Sequence, residues 1–191
     1  INKDSAREQL KIRNANLLLF FGYIRHYKGL EYLLRAMPRI VERSDSHLMV
    51  VGEFYEDKEP YLNLVSSLGI SDSVTFVDRY VSNAEVEKFF TASDLVVLPY
   101  ISATQSGIAQ IALAFDRPVI VTAVGGLPEV VAEGKTGFIV PPKDSEEVAS
   151  AVLKYIEGGW GSKMAPYFNE QKKRFSWSSM ADVIEELYRR I

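Results

Sequence analysis

Short β-rich apolar runs alternate with longer stretches of helical period along most of the chain, and this alternation restricts the fold more than any other feature. The runs Leu17–Phe21, His47–Val51, Val74–Val77, Leu95–Leu98, Val119–Thr122 and Phe138–Val140 read as strands. Between the first two, Leu30, Leu33, Leu34, Met37, Ile40 and Val41 recur at helical spacing, and Pro38 is expected to kink or end that helix. Tyr61–Leu68 gives a shorter helix. Ser82 and Glu85 have capping-box spacing, which predicts a helix to about Thr91. Asp144 is placed to cap another, with Val148, Ala151, Val152, Tyr155 and Ile156 as its apolar stripe. Residues 158–175 carry Gly, Pro and Lys and read as a linker. Residues 176–190 read as a terminal helix with Trp177, Met180, Ile184, Leu187 and Tyr188 on one face.

Six strands joined by right-handed helical crossovers predict an α/β fold: a doubly wound, mostly parallel, Rossmann-like sheet with helices on both faces, as a single domain over 1–191. The length of 191 residues suits one domain with a sizeable core. In such sheets ligands bind at the carboxyl ends of the strands, near the point where strand order reverses, so chemistry is expected in the loops after the strands.

Composition narrows the function classes. With 22 Lys+Arg against 25 Asp+Glu the formal net charge is −3, which argues against a dedicated nucleic-acid binder. Without cysteine there is no disulfide framework, thiol catalysis or thiolate metal site, and a reducing compartment fits. No apolar run reaches the about 18–20 residues of a membrane span, and no signal-peptide pattern opens the chain. The start at Ile1, with an amphipathic stretch Asp4–Ile12, reads as the continuation of something upstream.

Three loops carry candidate chemistry. Gly22-Tyr23-Ile24-Arg25-His26-Tyr27-Lys28-Gly29 brackets two cations with glycines at a helix entrance. Glycine lets the backbone approach a ligand, and Arg25 and Lys28 suit phosphate oxygens; the alternative is two solvated loop charges. Thr104, Gln105, Ser106 and Gly107 then lead into the apolar run from Ile108. Free amides and the helix dipole favour an anion there, unless Ser106 or Thr104 is simply a cap. Gln110 either holds a ribose hydroxyl or faces water. Gly125-Gly126-Leu127-Pro128-Glu129 is a Gly-Gly turn into a short helix, either functional or a structural joint, and Gly134–Gly137 reads as a hairpin or tight turn.

No Gly-x-Gly-x-x-Gly, Walker-type or Gly-x-Ser-x-Gly motif is present, so dehydrogenase, P-loop and hydrolase readings lose support. Only His26 and His47 occur, the latter in a predicted strand, and a metal site is not indicated.

Taken together these motifs resemble the carboxy-terminal, nucleotide-sugar-binding domain of family 4 glycosyltransferases, retaining enzymes of the two-domain GT-B fold. The resemblance runs from about Asn16 to Ile191. It is carried by Phe20-Phe21-Gly22 with Lys28-Gly29-Leu30, Val50-Val51-Gly52-Glu53, Val74-Thr75-Phe76, the stretch Ala92 to Pro99 and Arg117-Pro118-Val119-Ile120. Val124 to Glu129, Gly134 to Pro142 and the terminal Phe175-Ser176-Trp177 complete it.

The resemblance implies a sugar transferred from a nucleotide donor with retained configuration, and no metal or other cofactor. It makes Lys28 a diphosphate ligand. The family's Arg position is Tyr23, so Arg25 enters by charge and reach. The family's Glu-x7-Glu pair falls on Ala103 and Ile111, neither of which accepts a hydrogen bond through its side chain, so Thr104, Gln105 and Gln110 are expected to substitute. Glu53, Arg79 and Tyr80 are placed near the base, and Gly22 with Ser106, Gly107 and Ile108 near the phosphates. The amino-terminal acceptor domain is expected to be absent here, and the placement cytoplasmic, at the inner membrane face for relatives with lipid-linked acceptors. A GT-B epimerase lobe and a non-catalytic nucleotide-binding domain are the other readings.

Overall fold

The computed structural model describes residues 1–189. Six strands form one all-parallel sheet: β1 (Asn16–Phe21), β2 (Ser46–Val51), β3 (Val74–Val77), β4 (Leu95–Leu98), β5 (Val119–Thr122) and β6 (Gly137–Val140). Their order is β3-β2-β1-β4-β5-β6, so the winding reverses between β1 and β4. The helices are α1 (Lys3–Gln9), α2 (Leu30–Arg43), α3 (Glu59–Ser67), α4 (Asn83–Ala92), α5 (Gly107–Ala114), α6 (Leu127–Val130), α7 (Ser145–Glu157), α8 (Trp160–Met164), α9 (Phe168–Arg174) and α10 (Trp177–Arg189).

Alternation along β1 sends Leu18 and Phe20 to the core face shared with α2, α3 and α7, and Leu17, Leu19 and Phe21 to the face covered by α1, α4, α5 and α6. Both faces are covered, which is why the strands read as continuous apolar runs. His47 lies in β2 as expected, where its Nε2 meets Thr75 Oγ1 at 2.8 Å.

One local expectation is narrowed and another corrected. Helix α2 runs through Pro38 to Arg43 without ending. Leu30, Leu33, Leu34, Met37 and Ile40 are all fully buried, and their burial outweighs the roughly 3 kcal/mol that an interior proline costs. Residues 158–175 are not an open linker but α8, a 3-10 turn at Ala165–Tyr167 and α9. Met164 and Phe168 are buried there, and Gln171 donates from Nε2 to Val130 O at 2.9 Å. The spacing 164, 168, 171 is helical; proline is tolerated in the first turn of the 3-10 segment.

The expected caps are present. Glu85 Oε2 accepts from Ser82 N at 3.3 Å, and Asp144 Oδ1 accepts from Glu146 N and Glu147 N at 3.0 Å each. Gly134–Gly137 is a tight turn into a parallel strand, with Thr136 Oγ1 accepting from Ala132 N at 3.0 Å. On α10, Ile184, Leu187 and Tyr188 are exposed. The side chains of Trp177 and Met180, and residue 190, lie outside the described residues. At the amino ends of the strands, Asp94 accepts from Leu17 N at 2.7 Å and holds Lys3 and Arg7, which fastens α1 to the body.

Candidate functional site

The loops after β1 and β4 meet where the winding reverses. Gly22 leaves β1 with φ +97° and stands against Gly52, which leaves β2; a β-carbon on Gly52 would lie 2.4 Å from Gly22 O. Past Gly22 the chain makes a 3-10 turn at His26–Lys28, and left-handed Gly29 opens α2. After β4, Ser106 caps α5, its Oγ accepting from Ala109 N at 3.4 Å. Between these loops lies a cleft of about 530 Å³, lined by Tyr27, Lys28, Tyr100 and residues 102–108.

Lys28 is 7% exposed, and among the described residues no carboxylate pairs with it. Burial, and then the nearby Arg25 charge, bring its ammonium down to about 8. A β-carbon on Gly22 would stand 2.9 Å from Lys28 Nζ and 3.4 Å from Ile108 Cδ1, so the bare Gly22 leaves room for the ammonium beside the start of α5. At that start the amides of Gly107 and Ile108 have no acceptor one turn back within the helix. A buried cation and a helix amino terminus thus converge on one cleft, an arrangement that binds phosphate oxygens.

Tyr100 and Tyr27 were not singled out from the sequence, because a tyrosine beside a strand end is equally a core residue. Tyr100 is buried; its ring centroid lies 5.7 Å from Lys28 Nζ, and burial pushes its hydroxyl up to about 12 against the opposing effect of a hydrogen bond with Ser106. Tyr27 packs edge-on against it at 6.1 Å.

The cleft lining brings together Lys28, Thr104, Gln105, Ser106, Gly107 and Ile108, with Gly22 beside Lys28 and Ile108, and the other expected residues lie outside it. Arg25 lies over the Tyr55 ring, 4.7 Å from its centroid, in an exposed cluster where Tyr23 and Tyr55 meet edge-on at 4.6 Å. The hydrogen bond with Tyr55 raises Tyr23, with smaller contributions from burial and from the charges of Glu53 and Tyr80. Tyr80 is 61% exposed. Arg79 turns to Glu85, with contacts of 3.0 and 2.5 Å. Gln110 is half-buried on α5 and Ile111 packs against the core, as does Ala103 from the cleft lining. Among the described residues no group of three or more His, Cys, Asp or Glu is placed to hold a metal ion, and no helix is long and apolar enough to cross a membrane.

The lining segment after β4 is held from both sides. Ile101 N donates to Tyr27 O at 2.7 Å on one flank. On the other, Thr122 Oγ1 donates to Tyr100 O at 2.6 Å and Gly126 N to Thr104 O at 2.8 Å.

The family model described as glycosyl transferases group 1 matches residues 15–158. The chain belongs to that family. This group 1 chain is 32% identical over 180 residues to an uncharacterized glycosyltransferase of Methanocaldococcus jannaschii, covering 92% of this chain and 45% of that protein. It therefore spans less than half the length of that relative. Among solved structures, Anabaena HepE in complex with UDP superposes with a TM-score of 0.84 at 21% identity, over 98% of this chain and 52% of that one. The C-terminal domain of a glycosyl transferase group 1 family protein from Francisella tularensis gives 0.82 at 22% identity, over 92% of this chain and 94% of that one. Both likenesses are of fold.

Proposed function

We propose that this domain is the carboxy-terminal, donor-binding lobe of a retaining glycosyltransferase that moves a hexose-type sugar from a nucleoside diphosphate to an acceptor held by a separate amino-terminal lobe. The observation that carries the reading is Lys28, buried without a carboxylate partner and facing the start of α5 at the point of strand reversal. In the reaction the bond between the anomeric carbon and the diphosphate oxygen breaks, and charge gathers on the departing diphosphate. Lys28 and the Gly107 and Ile108 amides stabilise that charge without rearranging. Ser106 fixes the helix start at which those amides sit. In this reading the base contacts Glu53, Arg79 and Tyr80, as the family resemblance implies. The cytoplasm, where nucleotide sugars are made, is the corresponding location.

Calorimetric titration of the domain with UDP, GDP and ADP tests this. Saturable binding of one nucleotide, weakened by Lys28→Ala, is the expected result; UDP is the first probe because HepE, of the same fold, was solved with it. Binding that Lys28→Ala leaves unchanged would place the diphosphate elsewhere.

A further inference from the structure

Tyr100 stands between the two halves of the cleft. Its backbone is fixed just past the end of β4, where Thr122 Oγ1 donates to its carbonyl, and its side chain is buried in the core on the face covered by α4, α5 and α6. The residues that follow are fixed as well. A β-carbon on Gly125, whose φ is +50°, would stand 1.8 Å from Ala103 O; one on Gly126 would stand 2.9 Å from Thr104 O and 3.2 Å from Gln105 Nε2. The segment between Tyr100 and Ser106 thus lies directly on these two glycines.

From this fixed position the side chain reaches both halves. The Lys28 ammonium lies over the Tyr100 ring, in the space that Gly22 leaves beside Ile108. The face of an aromatic ring is negative and attracts a cation, more strongly where burial has removed water. The neighbouring charge on the Lys28 turn, Arg25, is repulsive, so the ring supplies the favourable electrostatic contact. At its far end the Tyr100 hydroxyl meets Ser106, the residue whose Oγ caps α5 through Ala109 N.

We propose that Tyr100 is a positioning residue for the diphosphate: its ring face holds the Lys28 ammonium toward the start of α5, and its hydroxyl, through Ser106, holds the helix start that carries the Gly107 and Ile108 amides. One buried side chain then fixes the cation and the amides relative to one another before a ligand arrives, which is what a preorganised anion site requires. The inference rests on the diphosphate reading above.

Two replacements separate ring from hydroxyl. Tyr100→Phe keeps the ring and removes the hydroxyl; a trifluorinated phenylalanine at position 100 keeps the shape of that ring and removes its negative face. The Lys28 Cε signal is followed by NMR against pH without ligand, and UDP, GDP and ADP are titrated calorimetrically. Lys28 should titrate near about 8 in the wild type and in Tyr100→Phe. In the fluorinated variant it should titrate about one pH unit lower, a shift that packing alone would not produce. Nucleotide affinity should fall about threefold in Tyr100→Phe, from the lost hydrogen bond. At about pH 8 the fluorinated variant should bind about fivefold more weakly than Tyr100→Phe, following the smaller protonated fraction of Lys28. An unmoved Lys28 midpoint in the fluorinated variant overturns the role of the ring, whether or not a nucleotide binds. Wild-type affinity in Tyr100→Phe overturns the role of the hydroxyl. A midpoint that falls as expected in a protein that binds no nucleotide overturns the diphosphate reading, and with it the purpose assigned to Tyr100, while the contact between ring and ammonium stands.

Discussion

A β-carbon on Gly29 would stand 2.0 Å from the carbonyl oxygen of Pro99, so the residue that opens α2 and the residue that follows β4 touch backbone to backbone. Gly29 is also left-handed, at φ +65°. This contact, beside the Ile101 N to Tyr27 O bond, sets how closely the two cleft-lining loops approach.

Gly29→Ala is therefore expected to cost about 3 kcal/mol or more, because a clash with backbone adds to the left-handed strain. Gly134 is the control. It has φ +70° with nothing within 4 Å of an added β-carbon, so Gly134→Ala should cost only about 1–2 kcal/mol. Urea denaturation of both variants separates the two contributions, and equal losses would show that the Pro99 contact yields.

Lys28→Met should move stability and binding in opposite directions. The ammonium is buried without a carboxylate, so an apolar side chain of similar length should raise stability by about 1–2 kcal/mol. Loss of charge-assisted hydrogen bonds should weaken nucleoside diphosphate binding about 10- to 100-fold. Thermal melts and calorimetry on the same preparation read both.

The pH dependence has a definite sign. Lys28 loses its proton near pH 8 when folded and near about 10.4 when unfolded. Between those values the unfolded chain holds more protons, so this residue makes stability rise with pH across about 8 to 10.4. If the diphosphate sits on the ammonium as proposed, its affinity should fall by up to about tenfold per unit above pH 8. Tyr100, up at about 12, stays neutral in this window. Lys28→Arg should flatten the affinity profile, and titrations between pH 7 and 9.5, values chosen to bracket about 8, decide it.

Asp94→Asn removes the charge that holds Lys3 and Arg7. A loss of about 2 kcal/mol is expected, with the amides of α1 exchanging faster while those of β5 and β6 keep their protection. Uniform loss of protection would show that α1 and the sheet unfold as one unit.

The strands were legible because a parallel strand buried on both faces is written as a continuous apolar run: Val74–Val77, Leu95–Leu98 and Val119–Thr122 have the expected bounds, and the other three differ by one residue at the start. That Pro38 does not end α2 was not legible, because local propensity says nothing of the five buried side chains around it. Residues 158–175 misled because their helical signal is only Met164, Phe168 and Gln171, interrupted by Pro166. In the cleft, Lys28 and Ser106 were readable from loop chemistry and resemblance. That Arg25 turns to Tyr55 was not, since Tyr55 lies on the loop after a different strand. Nor was the seat of Gln105 on Gly126, which depends on how two loops meet in space.

The strand order also schedules when a chain under synthesis can first hold a ligand. Leu18 pairs with Leu95 across the reversal point, and the lining segment leans on Thr122, Gly125 and Gly126 still later in the sequence. A nascent polypeptide that has emerged only through β4 carries Lys28 but neither the opposing helix nor the glycines beneath residues 103–105. Such long-range pairing is slow to form. Nucleotide capture, on the proposed reading, should therefore switch on late in translation, after residue 126 has cleared the ribosome, and a ligand present by then would favour the folded sheet.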